Sequence, residues 1–318
     1  MKKFVPIALL YALAVGAVLF TGCQGKEDKT ETLVFGDLSW NSVQVHNRIA
    51  AFIIENGIGG YEIEYTAADT LVTINGVVQG DIDVDMESWH SNFRDVYDKG
   101  IASGDIVDLG KNMPDAPQGW WVPRYLIEGD DALAPDLDGV EDLNKYWELF
   151  KDPEDPSKGI LYTGTAGWTA TEISEGIFEE YGLGENFNQA APGSGAALAA
   201  TMVGAYEKRE PWVGYYWAPT AVLGRLDMVR LKGSEFEPAD VNIIVNKSVI
   251  ERAPDVVEFL KDYATSVDTN NEFLAKMEEM DWDAEDAAIW FLKEKEDLWT
   301  EWVSDDVADK VKAALAEM

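Results

Sequence analysis

Cysteine and histidine are almost missing from this 318-residue chain: one Cys, at position 23, and two His, at 46 and 90. A lone thiol permits no internal disulfide. So few thiols and imidazoles nearly exclude Cys–His metal sites and most histidine-based catalysis. Positive charge is also scarce, with 25 Lys and Arg against 59 Asp and Glu, a formal net charge of −34. That balance excludes nucleic acid as a partner, because phosphate binding needs clustered Lys and Arg. There is no P-loop and no GxSxG nucleophile elbow; Ser194 in PGSGAA lacks the required first glycine. Asp81, Asp83 and Asp85 have the spacing of a calcium loop, but the turn glycine is absent and strand alternation accounts for the pattern. The expectation is a protein that is not an enzyme and holds neither cofactor nor metal.

What the chain does have is aromatic surface. It carries 12 Trp, 12 Tyr and 12 Phe in a sequence that is 47% hydrophobic. This separates it from disordered acidic chains, which are poor in aromatics, and suffices for one large or two medium domains with proper cores. The amino terminus is of a different kind. Lys2 and Lys3 precede an uncharged apolar run from Phe4 to Phe20, then Thr21, Gly22 and Cys23. This is the layout of a bacterial secretory signal. Its end resembles a lipoprotein lipobox, with Phe20 where Leu is usual. Residues 1–22 read as the signal peptide, Cys23 as the lipidated residue and 23–32 as a polar tether. A diacylated Cys23 would hold a soluble body at the outer face of a membrane.

From residue 32 on, strand-like and helix-like stretches alternate. TLVFGDLSW (32–40), YEIEYT (61–66), DIDVDM (81–86), WWVPRYLI (120–127), KGILYTG (158–164), WVGYYWAP (212–219) and 241–246 read as strands. Residues 43–55, 69–79, 169–181 and 196–208 read as helices, and the chain after Pro254 as mostly helical. The helix over 43–55 puts Val43, Ile49, Ile53 and Ile54 on an apolar face and His46 on its surface. Such alternation argues for an α/β fold with mainly parallel sheets.

Four tryptophans fall where strands give way to loops: Trp40, Trp89, Trp168 and Trp217. Ligands of open α/β sheets collect at the carboxyl ends of strands. Indole faces attract organic cations, and a quaternary ammonium, having no N–H to donate, is best read by such faces. Trp168 stands just before the helix start at TATE. The amides of Thr169 and Ala170 there favour an anion. A small zwitterion could thus be gripped at both ends. An alternative for TATE is a capping box, with Thr169 as N-cap and Glu172 three residues on. Trp120 and Trp121 point opposite ways on a strand, as do Tyr215 and Tyr216, so at most one of each pair reaches a shared pocket. Trp282, Trp290, Trp299 and Trp302 read as core.

With these motifs, GDIDVDMESWHSN (80–92), QGWWVPRY (118–125), GTAGWTATE (164–172) and EPWVGYYWAPT (210–220), the chain resembles the glycine betaine/choline-type substrate-binding proteins of ABC importers. The resemblance implies a two-lobed periplasmic-binding fold of type II with the ligand cleft between lobes: 33–125 and 235–318 forming one lobe, 126–234 the other. It implies an aromatic cage of Trp89, Trp168 and Trp217, with Trp40 joining it, and carboxylate-binding amides at Thr169 and Ala170. Choline-binding relatives carry an Asp two places after the residue matching Trp40; here it is Ser42, which argues against choline. Some betaine binders carry a His four places after the residue matching Trp89; here it is Phe93, leaving the adjacent His90 as the imidazole that would bond a ligand oxygen. The implied ligand is glycine betaine or a similar compatible solute, with choline, carnitine and dimethylsulfoniopropionate as alternatives. The implied partners are the permease subunits and, through the lipid, the membrane; the protein itself is expected to be a monomer. A solute-sensing lipoprotein not coupled to transport remains open.

Overall fold

The computed structural model describes residues 30–234, 236 and 239–318, so the signal segment and Cys23 lie outside the described residues. Ten strands form two five-stranded sheets. The strands are β1 (Glu31–Asp37), β2 (Tyr61–Ala67), β3 (Val84–Ser88), β4 (Ile106–Ala116), β5 (Gln118–Pro123), β6 (Gly159–Tyr162), β7 (Phe187–Ala190), β8 (Gly214–Trp217), β9 (Met228–Arg230) and β10 (Ala239–Asn246). The sheet orders are β2-β1-β3-β10-β4 and β7-β6-β8-β5-β9.

The sheets are mixed rather than mainly parallel. β2-β1-β3 and β7-β6-β8 are parallel sets, but β10 runs antiparallel to β3 and β4, and β5 antiparallel to β8 and β9. The antiparallel members are the segments that change sheets. β4 ends the first sheet at Ala116, and after Pro117 the chain is already in β5 of the second; it returns between β9 and β10. The sheet crossing therefore lies some residues before position 125. The strand expected over 120–127 stops at Pro123, and Arg124–Ile127 is a helical turn. Proline donates no ladder bond, which suits the end of a strand paired on both sides.

The apolar face expected on helix Asn41–Ile53 is real: Val43, Ile49 and Ile53 are fully buried. His46 is not on its surface, however. It is wholly buried, with Nδ1 2.7 Å from the Tyr263 hydroxyl and its ring edge-on to Phe273. The C-terminal helices cover that face of the first sheet, which single-helix periodicity could not reveal. Trp299 and Trp302 belong to this core, whereas Trp290 and Trp282 are only half-buried. β3 is covered on both faces, so Asp83, Asp85 and Glu87 are buried along with Val84 and Met86. Each acid has its own partners: Asp83 accepts from the Val34 amide and pairs with Arg252, and Asp85 accepts from the Glu87 amide. Among the described residues no helix is long and apolar enough to cross a membrane.

Candidate ligand-binding site

Between the two sheets lies a cavity lined by Trp40, Thr70, Trp89, Asn92, Gln118, Trp168, Thr169, Ala170, Tyr215 and Trp217. Its walls come from strand ends. Trp40 follows β1, Trp89 follows β3, Trp217 ends β8, and Trp168 follows β6 through a short loop. Trp168 forms the corner of the aromatic wall. Its ring lies 5.6 Å from Trp40 and 5.1 Å from Trp217, nearly perpendicular to both, and Tyr215 stacks on Trp217 at 6.0 Å. The Trp168 Nε1–H donates to Ser39 Oγ at 3.1 Å, tying a residue of the second half to the first.

Trp168 is itself the N-cap of helix Thr169–Glu180, in extended conformation and making no side-chain capping bond. The capping box with Thr169 as N-cap does not form: Thr169 is already helical. The amides of Thr169 and Ala170, first in the helix, have no intrahelical acceptor and both residues line the cavity. Gly167 makes this approach possible. Its φ of +92° is a left-handed conformation, and a Cβ there would stand 2.5 Å from Asp69 Oδ2. Thr70 is likewise the first residue of a helix, Thr70–Gln79, so helix N-termini from both halves meet at this cavity.

The space is small. It offers about 30 Å³ to the centre of a water molecule. Among the described residues no charged side chain lines it. Asn92 and Gln118 exchange amide hydrogen bonds of 2.9 and 3.2 Å across the halves, and the Tyr215 hydroxyl donates to Gln118 Oε1 at 2.8 Å.

Residues 31–294 match the family described as the substrate-binding domain of ABC-type glycine betaine transport systems. The chain belongs to that family. It is 25% identical, over 69% of its length and 68% of the relative's, to the trimethylamine N-oxide-binding protein of Pelagibacter ubique (strain HTCC1062). In fold it is similar to an ABC-transporter choline-binding protein in complex with choline (TM-score 0.77, 19% identity, 89% of this chain and 98% of that one). It is also similar to lactococcal OpuAC in its closed-liganded conformation complexed with glycine betaine (TM-score 0.71, 18% identity, 86% of this chain and 100% of that one). The two-lobed α/β architecture is thus that of a solute-binding protein.

Of the residues singled out in this family member's sequence, Trp40, Trp89, Trp168, Trp217, Thr169 and Ala170 share the cavity. His90 does not line it; its ring packs against Tyr97 with centroids 4.6 Å apart and the planes tilted by 35°. Neither Trp120 nor Trp121 lines it either. The first is fully buried and donates to Ser174 Oγ; the second donates to the Tyr216 carbonyl. Of the tyrosine pair, Tyr215 faces the cage and Tyr216 the neighbouring cavity. Sequence reasoning missed Thr70, Asn92 and Gln118. Asn92 and Gln118 sit inside the motifs that carried the resemblance, but nothing local marks an amide as pocket-facing. Ser42 is turned away from the cage and donates to Glu87 Oε1 at 3.0 Å.

Proposed function

We propose that the chain captures a small, permanently charged methylated zwitterion, glycine betaine or a close analogue, for an ABC importer. Members of this family are extracytoplasmic solute-binding proteins that deliver their ligand to permease components. In this reading the faces of Trp40, Trp89, Trp168 and Trp217 surround the onium head. The amides of Thr169 and Ala170 hold the anionic end at the helix N-terminus. The observation that carries it is the convergence of four indoles and a helix start on one cavity that, among the described residues, no charged side chain lines. Each end of such a zwitterion meets a π face or a helix-start dipole of complementary sign. Each half supplies part of the cage, so closure of the lobes is coupled to occupancy.

A second reading, trimethylamine N-oxide, is favoured by the 25% identical relative. Choline is disfavoured because the Ser42 hydroxyl is committed to Glu87. We also propose that Cys23 carries the lipid that anchors a monomeric protein to the outer face of the cell membrane. Titrating residues 24–318 with glycine betaine, trimethylamine N-oxide, choline, carnitine and dimethylsulfoniopropionate, followed by tryptophan fluorescence, tests the site. Binding of the first two ahead of choline is expected. Absence of any spectral change at millimolar concentration overturns the cage.

A further inference from the structure

Behind the cage lies a buried carboxyl that the binding scheme does not use. Glu87, on β3, is about 1% exposed. Its Oε1 accepts the Trp89 Nε1–H at 3.1 Å and the Ser42 hydroxyl at 3.0 Å, while Oε2 has no hydrogen-bond partner. Trp89 is a wall of the cavity, and Ser42 follows Trp40, another wall, by two residues. One carboxyl thus fixes the edge of one aromatic wall and holds the helix start beside another.

We propose that Glu87 is a positioning residue and the buried counter-charge of the cage: it holds Trp89 in place and puts negative charge behind an indole whose face receives the onium head. This rests on the onium reading of the site. An indole whose N–H is bound by an anion is richer in π density, which strengthens its attraction for a cation. In a poorly hydrated interior a negative charge is felt through the ring.

The arrangement makes ligand binding and proton binding at Glu87 oppose one another. Burial pushes the Glu87 carboxyl up to about 8, the hydrogen bonds from Ser42 and Trp89 holding it back only in part. The ionisable groups around it are Asp85 on the same strand, itself pushed by burial to about 7, and Tyr263 and His46. Burial keeps His46 neutral, so none of the three gives Glu87 a positive partner. The onium ligand would be that partner. Its arrival favours the carboxylate, so binding releases a proton near neutrality, and affinity rises with pH until Glu87 is ionised without ligand. A glycine betaine molecule does not itself titrate in this range, so any such dependence belongs to the protein.

The experiment is calorimetric titration of the full mature chain with glycine betaine, and separately with tetramethylammonium, from pH 6 to pH 9. Buffers of different ionisation enthalpy count the protons exchanged. For each unit by which the ligand lowers the carboxyl's pKa, the affinity rises about tenfold across the range, with net proton release near pH 7. In Glu87→Gln, which keeps the oxygen acceptor and shape but not the charge, the profile becomes flat and binding equals or falls below that of wild type at pH 6. In His90→Gln the wild-type slope persists. A wild-type affinity independent of pH with no proton release overturns the proposal even if Glu87→Gln does not fold. A slope that survives in Glu87→Gln but vanishes in Asp85→Asn assigns it to Asp85 and also overturns it. If wild type binds neither probe, the cage reading fails and takes this one with it.

Discussion

The amide half of the site can be removed almost alone. Thr169 is the first residue of its helix, where a backbone N–H has no intrahelical acceptor, and proline is favoured at such a position. The residue before a proline must be extended, and Trp168 already is, at φ −83° and ψ 136°. Thr169→Pro should therefore delete one donor to the ligand's anionic end while leaving the helix intact. A hydrogen bond to a charged group contributes about 1.5–3 kcal/mol, so affinity for glycine betaine should fall roughly ten- to 150-fold. Thr169→Ala, which keeps the amide, separates side-chain loss from donor loss. Tetramethylammonium, which has no anionic end to meet the lost amide, should be weakened far less than glycine betaine by Thr169→Pro. Calorimetry or tryptophan fluorescence reads all three, with circular dichroism confirming the helix. Unchanged glycine betaine affinity in folded Thr169→Pro would refute the assignment of the anion to these amides. Equal loss for both probes would show that the substitution had damaged the cage instead.

Trp168→Ala should weaken onium binding by about 1–3 kcal/mol, counting lost cation–π attraction and burial together, while Trp168→Phe keeps part of it; a fluorescence or calorimetric titration distinguishes the two. Gly164→Ala would place a Cβ 2.7 Å from Thr171 Oγ1 and 3.2 Å from the Trp168 ring, so it should displace that indole and lower affinity without changing the helical content seen by circular dichroism. Burial lowers His46 from 6.5 to about 4, so the unfolded chain binds a proton there that the folded chain refuses. Its contribution is complete above pH 6.5 and is lost as pH falls toward 4, a loss of about 3 kcal/mol. Urea unfolding of wild type and His46→Gln at pH 7 and pH 4.5 should show a smaller acid loss in the variant. Cys23→Ser should move the protein from the membrane to the soluble fraction of expressing cells.

Much of the site was legible because tryptophan is large, rare and conspicuous at strand ends. Trp40, Trp89, Trp168 and Trp217 could be assigned to a common pocket before any coordinates, and TATE could be read as a helix start with free amides. The same local reasoning failed where the deciding neighbour is remote. His46 looks like a surface residue along its own helix and is buried only because Tyr263 and Phe273 arrive from more than 200 residues later. DIDVDM alternates like a half-exposed strand, yet β3 is covered on both faces, which makes Asp85 and Glu87 interior acids. His90, adjacent to a cage residue in sequence, is carried to Tyr97 by the turn that follows Trp89.

The sequence by itself determined the chemistry on offer: aromatic faces, helix-start amides, hardly any thiol or imidazole, and a large excess of negative charge. Composition and short-range periodicity are properties of neighbouring residues, and they survive without knowledge of the fold. The tertiary structure alone decided which of these groups face one another. The chain changes sheets twice, at Pro117 and again between Arg230 and Ala239, and that crossing brings Trp40 and Trp89 of one half against Trp168 and Trp217 of the other. Long-range pairing of this kind is set by the summed burial of two separate cores, which no local window of residues contains.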